Sequence, residues 1–146
     1  MALPGSILFL CDRNTLRSAL AAGMMRRMFA GTCEVRSAGV QAGAWVDGFA
    51  VAVAEEIGVD LEDHIPESLD QLAERGEDIA RFERVVALSP AAQHCALQAG
   101  ALVEYWPTLD PSDLGAGREA RLGAYRQTRD ALLARIRDEF AGPALL

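Results

Sequence analysis

Cys11-Asp12-Arg13-Asn14-Thr15-Leu16-Arg17-Ser18 is the segment of this chain whose residue types and spacing could do chemistry. It sets a thiol at its head, a guanidinium near its end, and a hydroxyl directly after the guanidinium. Phosphoryl transfer from a monoester asks for donors to three equatorial oxygens, a nucleophile in line with the leaving oxygen, and a proton for that oxygen. A loop that curls between a strand end and a helix N-terminus turns successive backbone N–H groups inward and adds the positive end of the helix dipole. The same field stabilises a thiolate, which makes Cys11 the nucleophile. Arg17 returns across such a cup and grips two phosphoryl oxygens in bidentate fashion. Ser18 is placed to give its hydroxyl hydrogen to the sulfur, and Asn14 is a residue type that tolerates the positive φ of a sharp turn. Asp12, Arg13, Thr15 and Leu16 complete the phosphate-binding loop.

Such a loop works only between a strand and a helix, and the flanks suit both. Ser6–Leu10 is a short apolar run of the kind found in strands buried on both faces. Leu20, Met24 and Met28, four apart, predict a helix from about Arg17 to Ala30 with Gly31 as its stop. Cys33–Ser37 alternates as a second strand ending at Ala38-Gly39, with Cys33 as a buried hydrophobe. Asp47 caps a helix carrying Val51, Ala54 and Ile57, and Gly58 lies just past its end. Leu69–Arg81 is weaker, a short helix and then a loop. Arg84–Leu88 is a third strand closed by Ser89-Pro90, and Pro90 opens a helix through Leu97. Leu102–Trp106 is a fourth strand ended by Pro107. From Arg118 a long helix aligns Leu122, Tyr125, Leu132, Leu133, Ile136 and Phe140 on one stripe, with Arg, Asp and Glu opposite. This alternation of strands and helices predicts an α/β fold of three layers, a parallel sheet with helices on both faces. No repeat or linker interrupts it, so residues 1–146 are expected to form a single domain.

Composition excludes several functions. A net charge of −7 and a pI near 4.8 leave no basic face for nucleic acid. No apolar run reaches the ~18 residues of a membrane span, and the apolar N-terminal stretch lacks a positive region and a cleavage pattern. Cys11, Cys33 and Cys95 are odd in number and widely spaced, which points to a reduced, cytoplasmic setting rather than a disulfide framework. With two His and no CxxC or HxxxH spacing, no metal site is expected.

ILFLCDRNTLRS resembles the signature of the low-molecular-weight protein tyrosine phosphatase family, which also contains thioredoxin-coupled arsenate reductases. That family's loop reads roughly C-x-G-N-x-x-R-S after a hydrophobic strand. The likeness continues through Ser37-Ala-Gly39, Gly58-Val-Asp-Leu with His64 shortly after, Arg84–Pro90, and Asp110-Pro111 with the terminal helix. It implies a flavodoxin-like, four-stranded parallel sheet and a phosphomonoesterase that needs neither metal nor cofactor. Aryl phosphate or phosphotyrosine would be hydrolysed through a cysteinyl-phosphate. The Cys11 loop would take a phosphate, sulfate or arsenate-like oxyanion, and the phosphorylated substrate could be a protein. In the family the Asp of the Asp-Pro pair is the general acid and then the base that activates water, a role that falls here on Asp110. Loops at the carboxyl ends of parallel strands share one edge, so Asp110 and the Cys11 loop can meet. His64 falls on a family position away from the chemistry, where structural hydrogen bonding is expected.

The departures from the pattern are informative. Arg13 replaces the usual Gly and adds a cation. Ala19 stands where the family often has Pro. Ser112-Asp113 stand where eukaryotic-type members place aromatics beside the phosphotyrosine ring. Trp45, Tyr105 and Trp106 are the rings that could replace them, although each is more often a core residue. Arsenate reduction is the rival activity. The thioredoxin-coupled members have two further cysteines after the third strand, and this chain has Ser89 near the first position and Cys95 near the second. That leaves reduction by an external thiol. A non-catalytic oxyanion-binding or redox-sensing module is the other alternative, one that would have no need of Asp110.

Overall fold

A computed structural model describes residues 3–140; the outermost residues of the expected domain, 1–2 and 141–146, lie outside that range. Strands β1 (Ser6–Cys11), β2 (Glu34–Gly39), β3 (Arg84–Ala87) and β4 (Val103–Tyr105) form one parallel sheet in the order β2-β1-β3-β4. Helices α1 (Arg17–Met28), α2 (Gly48–Glu55), α3 (Leu69–Glu74), α4 (Pro90–Gln98) and α5 (Arg118–Phe140) connect and cover it. β1 is central, and its period of two splits it between two cores. Ile7, Phe9 and Cys11 join α1, α2 and α5 on one face, while Leu8 and Leu10 join α3 and α4 on the other. Burial on both faces is why this strand reads as an unbroken apolar run. The architecture is the expected three-layer α/β fold.

The strand order also fixes where a ligand would sit. From β1 the chain crosses to β2 on one side, and β3 lies on the other. The connections therefore part at the carboxyl end of β1, opening a crevice beside Cys11. Cys11 is opposite Gly39, and Ala87 is opposite both Leu10 and Tyr105, so all four strands end at one edge.

Several elements differ in extent from expectation. The β2 ladder opens where the Glu34 amide donates to the Gly5 carbonyl at 2.9 Å, which leaves Cys33 outside the strand and half-buried. Burial and the neighbouring Glu83 and Glu34 carboxylates push its thiol above the ordinary value. β4 is an edge strand of three residues, and Leu102 before it is 95% exposed. α3 opens with a capping box between Ser68 and Gln71 and closes early, at Glu74, and a 3-10 turn at Ile79–Arg81 follows. On α5, Arg129 is buried rather than on the polar side. Its Nη1 donates to the Val53 carbonyl at 3.0 Å and pairs with Glu56 at 2.6 Å, tying α5 to the C-terminal end of α2. No helix among the described residues is long and apolar enough to cross a membrane.

Candidate active site

Between Cys11 and Leu16 every backbone carbonyl is taken from behind the loop. Those of Cys11, Asp12 and Arg13 accept from the amides of Val40, Gln41 and Gly43 at 3.0, 2.9 and 3.0 Å. The Asn14 carbonyl meets His64 Nε2 at 2.8 Å, Thr15 accepts from the Asp47 amide at 3.0 Å, and Leu16 accepts from Leu20 at 2.8 Å. Among the described residues, the N–H groups of positions 12–17 donate to no protein acceptor. Buried backbone donors are rarely left without a partner, and a run of them converging on one hollow is the arrangement that binds an anion.

The chain must approach itself closely to make this curl. A Cβ on Gly39 would sit 2.7 Å from the Arg13 carbonyl carbon and 2.8 Å from the Asn14 nitrogen. Glycine is therefore required at the end of β2, which gives the Ser37-Ala-Gly39 motif its physical meaning. Asn14 adopts φ 59° and is alone in that among the described non-glycine residues. Its side chain, fully buried, holds the turn: Nδ2 donates to Ser18 Oγ at 2.8 Å and Ser37 Oγ at 2.9 Å, and Oδ1 accepts from the Glu67 amide at 3.0 Å. Arg13 takes no left-handed conformation, and its side chain is exposed. A side chain thus fits where the family has glycine.

Cys11 Sγ lies 2.9 Å from Ser18 Oγ and 3.5 Å from the Ser18 amide at the start of α1. Because Asn14 Nδ2 donates to the Ser18 oxygen, the hydroxyl hydrogen is left to point at sulfur. Arg17 is buried, with Nη2 donating to Asp12 Oδ2 at 3.1 Å and Nη1 to the Thr108 carbonyl at 3.0 Å. Asp110 Oδ2 stands 3.7 Å from Arg17 Nη2, so the acid-bearing loop after β4 and the Cys11 loop meet. Burial alone would raise the Asp110 carboxyl. The Ser112 amide at 3.0 Å, the Ser112 hydroxyl and the Arg17 and Arg13 charges outweigh it and hold the group below the ordinary carboxylate value. Thr128 Oγ1 secures this loop by donating to the Leu109 carbonyl at 3.2 Å.

These groups line a cleft of about 480 Å³ bounded by Cys11, Asp12, Arg13, Thr15, Leu16, Arg17, Asp47, Asp110, Ser112 and Asp113. Every loop position singled out in the sequence belongs to this one curl, and Asp110 joins it. Trp45, 78% exposed, flanks the cleft beside Arg13 and Thr15, whereas Trp106 is core, packed edge-on against Phe9. Cys95 lies elsewhere, in the hollow between α3 and α4. Other contributors were not legible from residue types. Ser89 Oγ donates to Asp12 Oδ1 at 2.6 Å, and Tyr125 hydroxyl donates to Asp47 Oδ2 at 2.7 Å. Burial, the hydrogen bond to Asp47 and its charge push the Tyr125 phenol above its ordinary value. Burial lowers the His64 imidazole, more than the Asn14 carbonyl restores, so a neutral ring donates its Nε2 hydrogen to the loop.

Comparison with known proteins follows the same segments. The model of the family described as low molecular weight phosphotyrosine protein phosphatase matches residues 6–136. The arsenate reductase of Halalkalibacterium halodurans is 30% identical over 133 residues, 90% of this chain and 91% of that protein. A YwlE mutant from Bacillus subtilis superposes with a TM-score of 0.71 at 26% identity, covering 92% of this chain and 95% of that one. A YwlE arginine phosphatase with a phosphorylated active-site serine gives a TM-score of 0.67 at 25% identity, over 92% and 96%. The match runs over nearly the whole length, and the chain belongs to the low molecular weight phosphotyrosine protein phosphatase family.

Proposed function

We propose that the chain is a cysteine-dependent phosphomonoesterase acting through a cysteinyl-phosphate, with residues 1–146 as one catalytic domain. The family is one of enzymes, phosphatases and arsenate reductases among them. The observation that carries the reading is the curl from Cys11 to Arg17, with its carbonyls satisfied from outside, its amides without a protein acceptor among the described residues, and a hydroxyl beside the sulfur at its base. Cys11 Sγ attacks phosphorus, forming the S–P bond as the P–O bond to the leaving group breaks. Arg17 and the amides of positions 12–17 hold the phosphoryl oxygens, and the Ser18 hydroxyl steadies the thiolate both as nucleophile and as leaving group. Asp110 gives its proton to the departing oxygen. It then takes one from the water that attacks phosphorus, and the S–P bond breaks to release phosphate. Asp110 is held ionised in the free protein, so the proton must arrive as the dianionic substrate enters and offsets the Arg17 charge. Asn14 and His64 maintain the loop, and the free thiol suits a reducing, cytoplasmic setting.

Thiol placement favours this over arsenate reduction. Ser89, near the position of the first resolving cysteine, is engaged with Asp12 and with the Ala92 amide. Cys95 lines a different hollow. Only an external thiol would remain to discharge an arsenic adduct.

Leaving-group dependence is the test. Asp110→Ala should slow an aryl phosphate with a poor leaving group about 10²–10⁴-fold and one with a good leaving group far less. Equal slowing of both would remove Asp110 from the acid role. A second reading, hydrolysis of phosphoarginine, has its own support. Asp47 and Asp113 add two carboxylates to the rim beside Asp110, which suits a leaving group that carries positive charge, and a relative of this fold is named an arginine phosphatase. Comparing kcat/KM for phosphoarginine and phosphotyrosine decides between them.

A further inference from the structure

We propose that Asp12, oriented by Ser89, is a positioning residue for Arg17 and also weakens the grip of the loop on an oxyanion; this rests on the oxyanion-binding reading above. The Ser89 hydroxyl accepts from the Ala92 amide at 3.2 Å as the N-cap of α4 and sits 2.6 Å from Asp12 Oδ1. An amide only donates, so the hydroxyl hydrogen is committed to Asp12 and the carboxylate is fixed in direction. Its other oxygen takes an Nη2 hydrogen of Arg17 at 3.1 Å, while the Thr108 carbonyl takes an Nη1 hydrogen at 3.0 Å. Two anchors on opposite arms set the guanidinium plane. The Nε hydrogen and the second hydrogen of each arm remain for an oxyanion.

The two anchors and the residue that orients one of them come from the ends of three strands, with Asp12 after β1, Ser89 after β3 and Thr108 after β4. Arg17 is thereby ordered before any ligand arrives, which removes part of the entropy lost on binding. The same device has an opposing effect. The Asp12 side chain is 49% exposed and lines the cleft, so its charge, of the ligand's own sign, stands where an oxyanion enters. Preorganised Arg17 and easier release of phosphate product are two consequences of one carboxylate.

The test compares wild type with Asp12→Asn, Ser89→Ala and Ser89→Thr. Phosphate affinity is read by calorimetry, kcat and KM with p-nitrophenyl phosphate, and folding by thermal melting. Asp12→Asn removes the charge but keeps an acceptor for Arg17. Phosphate should bind at least about tenfold tighter, because one unit of like charge beside the ligand is removed. Ser89→Ala leaves the charge and releases the carboxylate, so kcat should fall about tenfold with a much smaller change in KM. Ser89→Thr keeps the hydroxyl and should restore kcat. A Ser89 that serves only as a helix cap would lower the melting temperature and leave kcat unchanged, which overturns the positioning role. Unchanged phosphate affinity in a folded Asp12→Asn overturns the other half, and should that variant not fold, the Ser89 pair decides. A wild type that binds phosphate without turning over any ester refutes the phosphatase reading. The affinity ratio of Asp12→Asn to wild type then decides the charge half by itself, and the positioning half, read through kcat, falls with that reading.

Discussion

Asn14 is the residue on which the loop's shape depends most, and its replacement has a calculable cost. Asn14→Ala deletes three hydrogen bonds at a fully buried position: two donated to Ser18 and Ser37 and one accepted from the Glu67 amide. Each such bond contributes about 1 kcal/mol net, and more where the abandoned partner stays buried. At φ 59° alanine adds about 1 kcal/mol of left-handed backbone strain. The sum is about 4 kcal/mol, a large fraction of the ~5–15 kcal/mol that holds a domain of this size. Asn14→Gly loses the same bonds but not the strain. It should recover about 0.5 kcal/mol, because glycine's greater freedom in the unfolded chain offsets part of the gain. Urea denaturation of the three proteins reads these values, and kcat should fall in both variants because the Ser18 hydroxyl loses the donor that aims it at Cys11. A cost below about 1 kcal/mol for Asn14→Ala would refute the claim that this side chain holds the curl.

Two further expectations follow from the same geometry. Gly39→Ala would push its methyl into the backbone at Arg13 and Asn14, so anion affinity should fall at least about tenfold even where the protein stays folded, as a phosphate titration will read. The His64 pKa is lowered in the fold, so acidification below about 6.5 protonates the unfolded chain first. That contribution to stability is present above this pH and is lost as pH falls towards the folded value. The melting temperature of wild type should therefore drop more between pH ~7.5 and ~5.5 than that of His64→Gln, whose amide still donates to Asn14 but does not titrate. Equal drops would remove His64 as the cause.

The readable parts of this protein are those whose signal is local. The apolar run Ser6–Leu10 just before Cys11 announces a strand buried on both faces, because such burial leaves little room for polar residues. Asp47 followed by an apolar face announces a capped helix, and the cap forms with the Phe49 and Ala50 amides. The span from Cys11 to Ser18 could be recognised as a curl because its telling residues lie together in the sequence, although the Val40, Gln41, Gly43 and Glu67 amides and His64 hold it from behind. What escaped was decided by tertiary approach. Ser89 reads as the close of a strand, and only the order β1-β3 brings it to Asp12, far away in sequence. Tyr125 reads as one more residue on an apolar stripe, yet its hydroxyl reaches past Phe49 to Asp47. Arg129 reads as polar surface because nothing nearby in sequence reveals the Val53 carbonyl it satisfies. Cys33 and Leu102 read as strand residues by their apolar character, but the ladder begins one residue later in both cases.

The central claim is that Cys11 is the nucleophile of a phosphoryl-transfer site. It is tested most directly by p-nitrophenyl phosphate hydrolysis under reducing conditions with a chelator present, comparing wild type with Cys11→Ser between about pH 5 and 8. The expected result is turnover by wild type and none by the variant, which still binds phosphate through Arg17 and the loop amides. Turnover that survives in Cys11→Ser, or a wild type inactive across that range, would contradict the account.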